Sequence, residues 1–177
     1  MSVTSARRQA TRLLKEMGVD KAPVDVLAIA TRLGIQHRAG ELGDDVSGLL
    51  MVKDGEAVIG YNRSHSRSRQ RFTIAHEIGH YSLHYRADEL FIDKGSLIMY
   101  RDGNATKGED PHEREANAFA AELLMPELLV RSEIAARALR LSDERDIEVL
   151  AHAFDVSVQA MTFRLLNLGI IQSGLHA

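Results

Sequence analysis

The chain has 177 residues, a net charge of −3 at pH 7 and no cysteine. These numbers exclude disulfides, thiolate metal sites and cysteine nucleophiles, and they give no overall attraction to nucleic acid or membrane. An apolar export signal and an apolar run of the roughly 20 residues that span a bilayer are both missing, so we expect a cytoplasmic protein.

The first part of the sequence predicts two helices followed by a small sheet. Residues 4–17 have a helical pattern, and Pro23 is expected to open a second helix that ends near Gly34. Short β-branched runs within residues 35–62 predict strands, because they are separated by glycine and aspartate. Residues 53–56 contain an Asp-Gly pair that suits a hairpin turn. We therefore expect a small, largely antiparallel sheet.

The remaining sequence predicts mainly helices. One helix covers residues 66–84, a strand-like run follows at 96–100, and Asp110 with Pro111 is a strong signal for the start of another helix. Pro126 stops that helix. The order of elements predicts an α+β fold. We expect one domain over 1–177, with N-terminal helices in 1–34, the sheet and two long helices in 35–125, and a C-terminal helical bundle in 126–177.

Residues 76–80, with the sequence HEIGH, form an HExxH motif. Positions four apart lie on one helix face, about 6 Å apart, so His76 and His80 can converge on one metal ion. Glu77 lies about 100° round the helix, where it can reach a water molecule beside that metal. Gly79 weakens a helix interior by about 1 kcal/mol relative to alanine, which predicts close approach of another backbone or of substrate.

A catalytic zinc site needs a third protein ligand and one open position. Glu113 is the candidate, because a carboxylate on a mostly apolar helix stripe is unfavourable unless it is paired or binds metal. It also lies three residues after Asp110, where a capping-box glutamate would sit. Asn117, one turn on, could hydrogen-bond a ligand imidazole. Neighbouring Glu115 is expected to point elsewhere and to be solvated.

Two segments, RQRFTIAHEIGHYSLH and EREANAFAAELLMP, resemble the ImmA/IrrE family of bacterial and phage metallo-endopeptidases. The weaker similarity around them covers about residues 24–170. The resemblance implies a zincin-like, gluzincin-type hydrolase with one Zn²⁺ per chain, bound by His76, His80 and Glu113, and with Glu77 as catalytic base. It also implies cleavage of a helix-turn-helix repressor. We expect that repressor to be a separate chain, since this sequence has no room for a fused DNA-binding domain.

The mechanism predicted for such a site is hydrolysis by metal-activated water. Zinc lowers the pKa of a bound water to about 7, and Glu77 would take its proton. A group that stabilises the oxyanion is also expected, and His112, Tyr100 and Tyr81 are the candidates. His84, one turn beyond the motif, is expected to be structural or to support a ligand. As a third ligand on the same straight helix it would strain the tetrahedral geometry.

Several features have two interpretations at this point. Arg67, Arg69 and Arg71 could form a solvated face with salt bridges or could contact an acidic segment of substrate. Strands within 47–52 or 56–62 could offer an edge to an extended peptide. Residues 146–168 resemble a helix-turn-helix, but the second helix offers few basic or polar groups, so packing or partner binding is favoured over DNA binding.

Two other functions remain as alternatives to the peptidase. The first is a non-catalytic zinc-binding module that sequesters a repressor. It is disfavoured because a purely structural site has no need of Glu77. The second is a regulator that binds DNA through the C-terminal helices, which would require salt-sensitive DNA binding.

Overall fold

A computed structural model describes residues 1–43, 45–84, 110–141 and 143–172, together with the backbone of 90–93. The elements in chain order are α1 (Val3–Glu16), α2 (Val26–Arg32), β1 (Ile35–Gly40), β2 (Gly48–Lys53), β3 (Glu56–Asn62), α3 (Arg67–His84), β4 (Leu90–Asp93), α4 (Pro111–Leu124), α5 (Glu127–Ala136), α6 (Glu144–Phe154) and α7 (Val158–Asn167). The predicted α+β class is confirmed. The strand predicted at 96–100 lies outside the described residues.

Side-chain caps mark the start of five helices, α1, α2, α4, α6 and α7. The Asp110 side chain accepts a hydrogen bond from the His112 N–H, with Pro111 at the first helical position, which confirms the predicted start of α4. The prediction that Pro23 opens α2 is wrong. The helix is capped instead by Asp25, whose side chain accepts a hydrogen bond from the Ala28 N–H at 3.0 Å. This bond satisfies one of the free N–H groups of the first turn.

The sheet has the strand order β1-β3-β2-β4. The β2–β3 and β2–β4 pairs are antiparallel, whereas β1 pairs parallel with β3. The hairpin between β2 and β3 turns at Asp54 and Gly55, with φ angles of 52° and 82°, as the Asp-Gly pair predicts. Both strands that were expected to offer an edge are interior, so that prediction is wrong. The edges formed by the described residues are β1 and β4.

Helices α3 and α4 pack very closely at Gly79. A Cβ atom at this position would lie 3.2 Å from both the Cα and the carbonyl oxygen of Ala116, and 3.3 Å from the Phe119 ring. The predicted close approach to another backbone is therefore confirmed, and that backbone is α4. Because the two helix axes are this close, side chains from both helices can meet at one point.

Arginines of α3 connect this helix to the C-terminal helices. The turn between α6 and α7 contains Asp155 in a left-handed conformation, with φ 53°. Its carboxylate lies 2.8 Å from Arg67 Nε and 3.3 Å from Arg71 Nε. Arg71 also donates to the carbonyl oxygens of Val24 and Asp155. The predicted salt bridges are confirmed for Arg67 and Arg71, and they fix the start of α3 to the α6–α7 turn. The prediction of a solvated face fails for Arg71, whose side chain is 11 % exposed.

A buried ion pair attaches α7 to α4. Arg164 is 1 % exposed; its Nη2 pairs with the Glu122 carboxylate, and its Nε donates to the Met125 carbonyl oxygen at 2.9 Å. The same carboxylate lies 3.4 Å from the Thr11 hydroxyl. Arg164 is one of the few basic or polar side chains on the second helix of the segment that resembles a helix-turn-helix. In the structure its side chain is buried and pairs with Glu122, so it does not face solvent.

We expect Arg164→Met to lower the free energy of unfolding by about 3 to 5 kcal/mol, because Glu122 would stay buried without its cation. Urea unfolding followed by circular dichroism measures the change. Arg137→Met is the control, since the Arg137–Glu133 pair is largely exposed, and we expect less than about 0.5 kcal/mol there. A loss below about 1 kcal/mol for Arg164→Met would contradict a structural role for the buried pair.

Candidate metal centre

The motif segment of α3 is buried on all sides. His76, Glu77 and His80 are 3 %, 1 % and 2 % exposed, and the helix packs against α4 on one side and against β2 and β3 on the other. Burying two imidazoles and a carboxylate is unfavourable unless each finds a partner. Their burial side by side therefore indicates a built polar site within an otherwise apolar core.

Three side chains with ligand atoms, two from α3 and one from α4, meet at one point. The Nε2 atoms of His76 and His80 lie 2.9 Å apart, and each lies 3.2 Å from a different oxygen of Glu113. The three side chains are the group among the described residues that could hold a metal ion. Glu113 comes from the first turn of α4, so the close packing at Gly79 brings it within reach.

His76, His80 and Glu113 form a triangle, and its dimensions fit those of a tetrahedral zinc site. With metal–ligand distances of about 2.0 to 2.2 Å, ligand atoms in such a site lie about 3.3 to 3.6 Å apart. The observed separations are a few tenths of an ångström shorter. Two imidazole nitrogens and one carboxylate are also the donor set that zinc accepts. The Glu113 side chain is 33 % exposed, so the site opens towards solvent on that side.

Asn117 fixes the orientation of one imidazole. Its Oδ1 atom lies 2.9 Å from His76 Nδ1. Because an amide oxygen only accepts, Nδ1 must carry a proton, so Nε2, which faces His80 and Glu113, is the ring nitrogen that a metal ion could take. The contact is the one predicted for Asn117 from its position one turn after Glu113.

The Glu113 carboxylate faces the histidines rather than its own helix start. Burial disfavours its charged form, but hydrogen bonds and Coulomb attraction from His76 and His80 outweigh that effect and hold the pKa of Glu113 well below its usual range. The helix start is capped separately by Asp110. The position of Glu113 is therefore explained better by the cluster than by capping.

Residues 30–166 match the model of the peptidase M78 family, which is described as the IrrE N-terminal-like domain. The match covers well over half of the chain. The chain belongs to this family. The resemblance predicted from the two central motifs is thus confirmed, and membership of peptidase M78 supports a metallopeptidase that acts on protein. No curated protein matches the chain. Within the described residues, every helix is too short or too polar to cross a membrane.

Glu115 was expected to be solvated, and this peptidase M78 chain places it differently. It is 3 % exposed, with one oxygen 3.5 Å from His84 Nε2 and the other 3.2 Å from the amino group of Met1. The expectation fails because α4 is covered by both α1 and α3, which leaves little of its surface free. The ion pairs of Glu115 are with Met1 and His84 rather than with His76 or His80, so Glu115 is a natural comparison for Glu113.

The remaining candidate side chains lie around the triangle rather than in it. The His84 ring stacks on His112, with centroids 4.2 Å apart, and lies 5.8 Å from the His80 ring. Burial is the largest cause that lowers the pKa of His84, and the neighbouring His112 and His80 lower it further. Tyr81 is half-buried against the core. Tyr100 lies outside the described residues. The choice of an oxyanion stabiliser among these residues stays a prediction.

One residue that was not predicted from the sequence lies directly beside the motif glutamate, Glu77. Gly48, the first residue of β2, is buried, and a Cβ atom there would lie 3.3 Å from Glu77 Oε1. A glycine at the start of an otherwise apolar strand is the signal that could have identified it, since glycine in a strand often marks close approach of another group.

Proposed function

We propose that this peptidase M78 protein is a zinc-dependent endopeptidase that cleaves a separate helix-turn-helix repressor. The observation that carries the proposal is the triangle of His76, His80 and Glu113, together with the burial of Glu77, the residue that follows His76 on α3. A binding module without catalysis would have no use for that second carboxylate, whose burial is unfavourable.

The residues of the site have separate tasks in this proposal. His76, His80 and Glu113 would hold one zinc ion, and Asn117 would keep His76 in the ligating tautomer. Bound zinc supplies Lewis acidity, which polarises a peptide carbonyl and makes a water molecule more acidic. Glu77 would take the proton of the attacking water as general base and pass it to the leaving amine as general acid.

Zinc is the metal that the donor set supports best. Imidazole and carboxylate ligands at tetrahedral spacing suit zinc, whereas magnesium and calcium prefer more oxygen ligands. The absence of cysteine suits a reducing compartment, which supports a cytoplasmic location.

A DNA-binding function receives less support from the same contacts. Arg164, on the second helix of the segment that resembles a helix-turn-helix, is buried against Glu122, and Arg67 and Arg71 pair with Asp155. Phosphate contacts need cations that are free to reach the backbone of the nucleic acid. We therefore assign α6 and α7 a packing role that supports the two metal-binding helices.

Zinc content and cleavage of a repressor test this function together. We expect about one zinc per purified chain, and discrete fragments when the zinc-loaded protein meets its repressor; the first to try is a small helix-turn-helix protein encoded next to it. Removing zinc with a chelator should stop the cleavage, and adding zinc back should restore it. A stable complex without fragments would support the sequestering module instead. A folded protein that takes up no zinc would argue against both zinc-dependent functions.

A further inference from the structure

The start of strand β2 lies against the buried face of the motif helix. A Cβ atom at Gly48 would lie 2.3 Å from the Thr73 methyl carbon, 3.0 Å from the Gly60 carbonyl oxygen and 3.3 Å from Glu77 Oε1. Thr73 and Glu77 are one helical turn apart, and both are at most 2 % exposed. Any side chain larger than glycine at position 48 would therefore compete for the space that holds the Glu77 carboxylate.

The strand is fixed in this position by hydrogen bonds on both sides of Ser47. The Ser47 hydroxyl accepts a hydrogen bond from Arg69 Nη2 at 2.8 Å, and Arg69 is one turn before Thr73 on α3. The Ser47 carbonyl accepts from the Asn62 N–H at 2.9 Å. The Asn62 side chain also donates to the carbonyl oxygens of Gly43 and Val46, at 2.8 and 3.1 Å. The segment that leads into β2 is thus held to both the sheet and the motif helix.

We propose that Gly48 is a positioning residue for the Glu77 carboxylate. The hydrogen bond between Ser47 and Arg69 holds Gly48 in place, close to Thr73. The inference rests on the proposed function, because it assigns Glu77 the role of base. The carboxylate is confined between its own helix and a strand that is fixed independently, so the position of the strand limits where the carboxylate can lie. A general base needs this precision, since proton transfer requires hydrogen-bond distance to the water.

Binding of acetohydroxamic acid to the zinc-loaded protein tests this role without a peptide substrate. The compound binds zinc through its oxygens and can hydrogen-bond a neighbouring carboxylate, so its affinity, measured by calorimetry, reports on the position of Glu77. The main variant is Gly48→Ala combined with Thr73→Ser. The serine removes the methyl group of the 2.3 Å clash but leaves the new Cβ atom 3.3 Å from Glu77 Oε1. We expect the double variant to weaken binding about tenfold, and we expect the same from Glu77→Gln, which loses a charge-assisted hydrogen bond.

Two controls and one replacement variant make the result decisive. Thr73→Ser alone should bind within about twofold of the wild type, and all variants should keep the same zinc content. If the double variant does not fold, Ser47→Ala takes its place. It removes the acceptor for Arg69 without adding an atom, and we expect about threefold weaker binding. Wild-type affinity in the folded double variant, or in Ser47→Ala if the double variant does not fold, would overturn the inference.

Failure of the proposed function looks different in the same experiment. A wild-type protein without zinc, or a Glu77→Gln variant with unchanged affinity, would remove the assigned role of the metal or of Glu77 itself, and the inference about Gly48 would fall with it. If only Glu77→Gln loses affinity for acetohydroxamic acid and the double variant binds it tightly, the proposed function stands and only the positioning role of Gly48 is rejected.

Discussion

Glu113→Gln is expected to lower the affinity for zinc by at least about 100-fold, whereas Glu115→Gln is expected to leave it within about threefold of the wild type. The charged carboxylate of Glu113 faces both motif histidines at 3.2 Å, and an amide is a much poorer zinc ligand. Competition with a chromogenic chelator measures the affinity, and circular dichroism confirms that each variant is folded.

The comparison with Glu115 separates a ligand from a merely buried acid. The two glutamates lie two residues apart on α4, and Glu115 is the more buried, yet it contacts His84 and the Met1 amino group rather than the triangle. If both substitutions weaken zinc binding equally, the effect comes from the packing of α4 on α3, and the assignment of Glu113 as third ligand is wrong. If neither does, the third ligand lies elsewhere.

The geometry behind this prediction was largely accessible from the sequence. Helical periodicity places His76 and His80 on one face of α3, and the Asp110-Pro111 start signal places Glu113 in the first turn of α4. Because an unpaired carboxylate on an apolar helix stripe is energetically unfavourable, Glu113 is then the candidate for the third ligand. What periodicity could not supply is the distance between the helices. The Gly79 contact with the Ala116 backbone supplies it.

The predictions from sequence were wrong where a residue's environment depends on elements far away in the chain. Glu115 was expected to be solvated because its own helix pattern places it off the apolar stripe, but α1 and α3 cover it. The strands β2 and β3 were expected to offer an edge, but β1 pairs with β3 and β4 pairs with β2. Local patterns carry no information about which distant segment packs alongside, so burial and strand order could not be predicted.

The same distinction explains why Gly48 was missed while Gly79 was noticed. Gly79 interrupts a strongly helical motif, where a glycine is unfavourable and needs a reason. Gly48 begins a short strand after a polar loop, where glycine is common, and its significance depends on Thr73 and Glu77, which are far along the chain. A residue that positions a catalytic group through packing leaves a weak signal in a single sequence.

Glu77→Gln is expected to keep a full complement of zinc and to lower kcat for repressor cleavage by about 10³-fold, within the range of 10² to 10⁴ for loss of a general base. The substitution is isosteric, and Glu77 belongs to none of the three ligand positions, so the fold and the metal should be unaffected. KM should change little, because the lost interaction acts mainly in the transition state. Fragment formation under single-turnover conditions measures the rate.

The outcome for Glu77 also decides between catalysis and sequestration. Glu115→Gln again serves as the control, since it removes a buried carboxylate from the neighbouring helix without touching the triangle. A Glu77→Gln protein that holds zinc, binds the repressor and leaves it intact would be the trapped form of a peptidase, and it would allow the intact complex to be isolated. Cleavage within tenfold of the wild-type rate would mean that another group takes the proton, and His112 and Tyr81 would then be the first residues to test.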